Sequence, residues 1–122
     1  MKNLISIVEI PTSDFSRAVA FYEAILEIKI EKAEIDGIKM GLFPNDGEST
    51  FVQLINGSEY KTSVDGTIVY LNGGNDLQNI ANKIEANGGK IVVPKTEIGP
   101  EMGFYAMFKD TEGNKLGLHS SN

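Results

Sequence analysis

The chain has 122 residues, of which 41% are hydrophobic and 23% charged, the proportions of one ordinary globular domain rather than a disordered or membrane-embedded chain. Its formal net charge is −6, with the acidic residues scattered along its length; such a balance repels phosphate backbones and anionic lipid surfaces and argues against nucleic-acid or membrane partners. It contains no cysteine, which excludes disulfides, thiolate metal ligands and a cysteine nucleophile.

No apolar run approaches the roughly 20 residues needed to span a bilayer. Met1-Lys2-Asn3-Leu4 leads into a strand-like run without the apolar core of a signal peptide. A cytoplasmic location is the resulting expectation, consistent with the absence of cysteine.

Ile5 to Ile10 is rich in β-branched residues and reads as a strand, closed by Pro11. Ser13 or Asp14 can cap a helix whose apolar stripe runs through Ala18, Val19, Phe21, Tyr22, Ile25 and Leu26. Strands follow at residues 28–35 and 38–43, joined by the hairpin signal Asp36-Gly37, and again at 50–55 after the turn cluster Pro44-Asn45-Asp46-Gly47. Residues 56–66 are polar and loop-like. The order then repeats: a strand at 67–72, a helix from Leu77 to Ala86 with Asn75 or Asp76 as its cap, and the helix stop Asn87-Gly88-Gly89. A strand at 90–93 comes next, then a long connection from Pro94 to Gly103, read first as an ordinary surface loop and alternatively as a lid over a cleft, and strands at 104–108 and 115–119 around the turn Asp110–Asn114.

The halves also match in sequence. Ile7-Val8-Glu9-Ile10 aligns with Ile68-Val69-Tyr70-Leu71 at an offset of 61, and Gly37 and Gly47 align with Gly103 and Gly113 at 66. The ordered matches indicate an internal duplication. The expected fold class is therefore α+β: one domain over residues 1–122, built from two tandem β-α-β-β-β modules at about 1–56 and 66–122.

Three stretches resemble the vicinal oxygen chelate superfamily, which embraces glyoxalases, bleomycin-resistance proteins and dioxygenases. They are Glu9-Ile10-Pro11-Thr12-Ser13-Asp14-Phe15 with Phe21-Tyr22-Glu23, Ala86-Asn87-Gly88-Gly89-Lys90-Ile91, and Phe108-Lys109-Asp110-Thr111-Glu112-Gly113-Asn114 continuing through His119. The resemblance implies paired modules curling around an open cleft, and a homodimer. It implies no single activity, because the superfamily includes metal-dependent isomerases, ring-cleaving dioxygenases, thiol transferases and metal-free drug-binding proteins.

In metal-dependent relatives the ligands lie near the start of each module's first strand and on its last strand. By the resemblance these positions are Ile7, Ile68, Phe51 and Gly117. None supplies a nitrogen or oxygen donor from its side chain, so no metal and no other cofactor is expected.

Two residues further along each strand, on the same face, stand Glu9, Tyr70, Gln53 and His119. As a functional set, Glu9 and His119 are the candidate acid–base residues, His119 being the only histidine. Gln53, Tyr70 and the adaptable Met107 are the candidate ligand-binding residues. The competing reading has Glu9 pairing with His119, Gln53 satisfying backbone groups and Tyr70 packing. The leading function is a glyoxalase-like protein binding a small organic molecule without a metal. The alternatives are a lyase or isomerase acting on a small carbonyl compound through Glu9 and His119, with or without assistance from a metal, and a non-catalytic dimeric protein with a filled cleft.

Overall fold

A computed structural model describes residues 3–122; Met1 and Lys2 of the N-terminal reading lie outside the described residues. The chain runs β1 (Ile7–Pro11), α1 (Phe15–Leu26), β2 (Glu31–Ile35), β3 (Ile38–Leu42), β4 (Phe51–Asn56), β5 (Tyr70–Asn72), α2 (Gln78–Ile84), a single 3-10 turn (Glu85–Asn87), β6 (Lys90–Gly99), β7 (Gly103–Lys109) and β8 (Lys115–Ser120). The strands form two four-stranded mixed sheets with matching orders, β1-β4-β3-β2 and β5-β8-β7-β6. In each, the module's first strand pairs parallel with its last, and the other pairings are antiparallel. The polar stretch between Asn56 and Tyr70 carries the chain from the first sheet to the second.

Strand alternation divides each sheet into a helix-covered face and an open face. Ile10, Leu54, Ala106, Phe108, Leu116 and Leu118 are buried in one core with Val19, Phe21, Tyr22 and Ile25 of α1 and Ala81 and Ile84 of α2. Both helices supply apolar residues at helical spacing, so each buries a single stripe. Asp14 caps α1 by accepting a hydrogen bond from the Arg17 N–H at 3.1 Å. Asp76 accepts from the Gln78 N–H at 2.9 Å, and the Ser120 hydroxyl, at the end of β8, accepts from the Leu77 N–H at 3.0 Å.

The turn between β7 and β8 joins the modules. Gly113 holds φ at +88°, a conformation that glycine adopts without steric cost. This turns Glu112 inward against the start of α1, where one carboxylate oxygen accepts from the Ser13 and Asp14 N–H groups at 2.9 and 2.6 Å. Asp110 accepts from the Tyr22 hydroxyl at 2.7 Å, and the Asn114 amide donates to the Pro11 carbonyl at 2.7 Å. Each of these bonds spans the two halves of the chain. Among the described residues every buried side-chain nitrogen and oxygen has a partner, as buried polar groups require.

The segment Pro94–Gly103 is not a long connection poised as a lid. Residues through Gly99 extend β6, and the hairpin reverses at Pro100–Met102 to meet β7. Pro94 lies where the pairing register shifts between Val93 and Thr96. An irregularity in the ladder leaves backbone donors unpaired, so proline's missing N–H does no harm there. Elsewhere β2 begins at Glu31 and β5 at Tyr70, later than the sequence reading places them, whereas β7 and β8 are longer, at Gly103–Lys109 and Lys115–Ser120.

Candidate functional site

Glu9 lies at the middle of β1 and Gln53 on β4, and the parallel register places them directly opposite each other. The Gln53 amide donates to the Glu9 carboxylate at 2.9 Å. Glu9 is exposed on the open face of its sheet, and the pair is bordered by Ile7, Phe51 and Leu42, whose side chains are also exposed. Ile7 and Phe51 are register partners, as are Leu42 and Gln53. The result is one hydrogen-bonded polar pair set in an exposed apolar surface.

Tyr70, Asn72, Met107 and His119 lie on the open face of the second sheet. Tyr70 and Met107 are the register partners of Gly117 on its two sides; Asn72 and Tyr105 hold the same relation to His119. The Tyr70 ring lies over Gly117 so closely that a Cβ there would overlap it, and Gly117 is buried beneath it. The His119 Nε2–H donates to the Met102 carbonyl at 3.0 Å, which fixes the tautomer of the neutral ring and leaves Nδ1 as the acceptor.

Glu9 and His119 open onto different depressions. Glu9 lines a hollow of about 150 Å³ with Lys61, Asp65, Thr67 and Lys115. His119 lines one of about 400 Å³ with Tyr70 and Asn72, and another of about 350 Å³ with Glu97 and Met102. The structure therefore brings Glu9 to Gln53, and Tyr70 to Gly117 and Met107. Glu9 hydrogen-bonds Gln53 rather than His119.

The register also revises the repeat alignment. Ile7 opposes Phe51 in the first sheet, whereas Tyr70 opposes Gly117 in the second. First-strand equivalents are thus Ile7 with Tyr70 and Glu9 with Asn72, an offset of 63 where sequence matching gave 61. Asn72, the cross-strand neighbour of His119, is the residue this displacement hides; the short, irregular path of β5 left no periodic signal to correct it.

The ligand positions of metal-dependent relatives become Ile7, Phe51, Tyr70 and Gly117 in this frame. Among the described residues no three of His, Cys, Asp or Glu converge on a point that could hold a metal ion. Ile7 and Phe51 offer carbon only, and the space above Gly117 is filled by an aromatic ring. This set of side chains does not fit a divalent-metal centre, which needs several oxygen or nitrogen donors in fixed geometry.

Two repeated modules, each with a helix on one face of a mixed sheet and an open opposite face, define a paired β-α-β-β-β fold. The chain belongs to the glyoxalase/bleomycin resistance protein/dioxygenase superfamily, whose family model matches residues 4–118. A glyoxylase-like domain-containing protein of Didymella fabae is 30% identical over 122 residues, covering 90% of this chain and 88% of that one. Among solved structures, a glyoxalase I mutant from Zea mays superimposes with a TM-score of 0.75 at 20% identity, covering 95% of this chain and 45% of the maize chain. The chain thus spans less than half of that relative. A mutant of the fosfomycin resistance protein FosX from Listeria monocytogenes, complexed with Mn(II) and 1S,2S-dihydroxypropylphosphonic acid, superimposes with a TM-score of 0.72 at 16% identity, over 100% of this chain and 95% of that one. At these identities the structural likenesses establish the fold alone. Among the described residues no helix is long and apolar enough to cross a membrane.

Proposed function

We propose that this protein binds a small organic molecule on the open faces of its sheets without a bound metal, acting in the cytoplasm as a homodimer. The observation that carries the reading is the Gln53–Glu9 hydrogen bond, at 2.9 Å, set among exposed Ile7, Phe51 and Leu42. Binding sites for small molecules are mostly apolar with a few placed polar groups that fix orientation. Here the fixed group is a carboxylate oriented by an amide.

Glu9 and His119 serve recognition in this reading rather than a proton relay, because within one chain they open onto different depressions. The run of exposed apolar side chains on the open face of the first sheet, which includes Ile7, Ile35, Leu42 and Phe51, also supports the dimer, with the ligand site lying at the subunit interface. Contiguous apolar surface of this kind marks interaction sites.

A thermal-shift screen of small organic compounds, run in the presence of chelator, tests the reading, since a ligand selective for the folded state raises apparent stability. We expect hits that survive chelation and lose roughly tenfold or more in affinity with Glu9→Gln, a loss of the size expected for a charge-assisted hydrogen bond. Hits that appear only when divalent metal is added back would sink it.

A further inference from the structure

Resting on the small-molecule reading above, we propose that the open face of the second sheet is a stacking platform for a planar aromatic acid. The ring would lie against Tyr70 and Met107, with its anionic group directed at Lys115 and Lys109.

Three rows of register-paired residues build the platform. In the central row, Gly117 is flanked by Tyr70 and Met107. Because Gly117 has no Cβ, the Tyr70 ring can approach the backbone of β8 closely at that position. The residue nevertheless stays 49% exposed, so it offers aromatic surface on which a second ring can stack. Met107 offers a polarizable neighbour of adjustable shape.

The next row in one direction holds Asn72, His119 and Tyr105. These supply an amide, the free Nδ1 of the imidazole and a phenol hydroxyl for hydrogen-bonding substituents. The row in the other direction holds Lys115 and Lys109, register partners on adjacent strands. Two residues along a strand is about 7 Å, a separation that the long, flexible lysine side chains can span to reach a carboxylate on a ring stacked at Tyr70.

The charges around the platform decide the sign of the ligand. Lys115 and Lys109 share its face, and Lys115 also lines the hollow that contains Lys61, Glu9 and Asp65. Glu97 and Glu101 line the depression beyond His119. Glu97 opposes Phe104, whose side chain packs toward the core, so Glu97 belongs to the other face of its sheet. Glu101 lies at the hairpin tip, beyond the His119 row. On the strand rows that flank the Tyr70 ring the charges are therefore the lysines, while Glu9 and Asp65 belong to the hollow that Lys115 also lines.

Three probes separate ring from charge: 1-naphthoate, cyclohexanecarboxylate and 1-naphthylmethylammonium, each titrated by isothermal calorimetry into the full chain. We expect 1-naphthoate to bind at least fivefold more tightly than either of the others. Tyr70→Leu, which keeps bulk but removes the ring face, should weaken 1-naphthoate roughly fivefold, the scale of an aromatic stacking contribution. Lys115→Gln should weaken both acids and leave the ammonium compound unchanged. Gly117→Ala, checked for folding by circular dichroism, should act like Tyr70→Leu because it displaces the ring. Tighter binding of the ammonium compound, still dependent on Tyr70, would overturn the acid class and leave the small-molecule reading standing. Binding of 1-naphthoate that survives Tyr70→Leu, or its absence while other compounds bind in a Glu9-dependent way, would overturn the platform. Absence of any Glu9-dependent or Tyr70-dependent ligand would overturn both readings.

Discussion

The Glu112 carboxylate receives the Arg17 guanidinium at 2.8 Å, an ion pair between the last turn of the chain and its first helix. The Glu112 side chain is fully buried and the Arg17 side chain half exposed. The same carboxylate also accepts from the Ser13 and Asp14 N–H groups and from the Thr111 hydroxyl. One residue thus satisfies orphan donors at the start of a helix almost a hundred residues away in sequence.

Glu112→Gln should cost roughly 2 kcal/mol, because the neutral amide keeps the shape but not the charge-assisted bonds, and solvent screens the half-exposed arginine. The melting temperature should fall by about 5–10 °C for a domain of this size, while binding on the open sheet faces is unchanged. The pH dependence follows from the same group. Burial pushes the Glu112 carboxyl up, but the bond from Arg17 and those from Asp14, Thr111 and Ser13 outweigh it and hold it at about 2, against an ordinary 4.5. Its stabilisation is present above the ordinary value and is lost as pH falls from 4.5 toward 2. Burial raises Asp110 against the hydrogen bonds from Tyr22 and Asn114, so its contribution has the opposite sign and favours the fold on acidification. Thermal melts between pH 6 and 2 should show a wild-type loss that Glu112→Gln largely removes.

Tyr22→Phe keeps the ring in the core but deletes the hydroxyl that donates to Asp110 at 2.7 Å. Asp110 is buried, and the Asn114 amide at 3.1 Å is then the side-chain donor left to that oxygen. The expected destabilisation is about 1–3 kcal/mol, the cost of leaving a buried acceptor underpaired. A double-mutant cycle with Asp110→Asn, read by urea denaturation, should return a coupling energy of at least 0.5 kcal/mol; additivity would show that the bond contributes nothing.

Phe51 is 52% exposed on the open face of the first sheet, opposite Ile7. Phe51→Lys should leave monomer stability within about 0.5 kcal/mol, as exposed substitutions do. A lysine buried in an interface would carry an unpaired charge. Light scattering after size exclusion should therefore find the variant shifted from dimer to monomer. A wild type that runs as a monomer, or a variant that stays dimeric, would show that this face is not the interface.

The modules themselves were legible in the residues. The helical stripe through Ala18, Phe21, Tyr22 and Ile25, the hairpin signal at Asp36-Gly37 and the turn glycine at Gly113 are local signals, and local signals survive in a single sequence. Hydrophobic alternation correctly separated Glu9 and Gln53 from their core-facing neighbours. It could not reveal that Pro94 sits at a break in the ladder, because a proline followed by Gly99 and Pro100 reads the same in a strand irregularity as in a loop. Nor did it distinguish Glu112 from any other acidic turn residue, since its partners lie on another element.

Patterning along the chain is enough to settle which faces of which elements are apolar, and hence the order of strands and helices, the placement of the core and the lack of donors at Ile7 and Phe51. Which residues become neighbours is settled by the assembled sheets. Their assembly paired Glu9 with Gln53, laid Tyr70 on Gly117, put Asn72 beside His119 and drew Glu112 onto the first helix. The physical reason is range: side-chain periodicity is written along the chain, whereas register between strands distant in sequence is set by hydrogen-bond ladders and packing that form only when the sheets assemble.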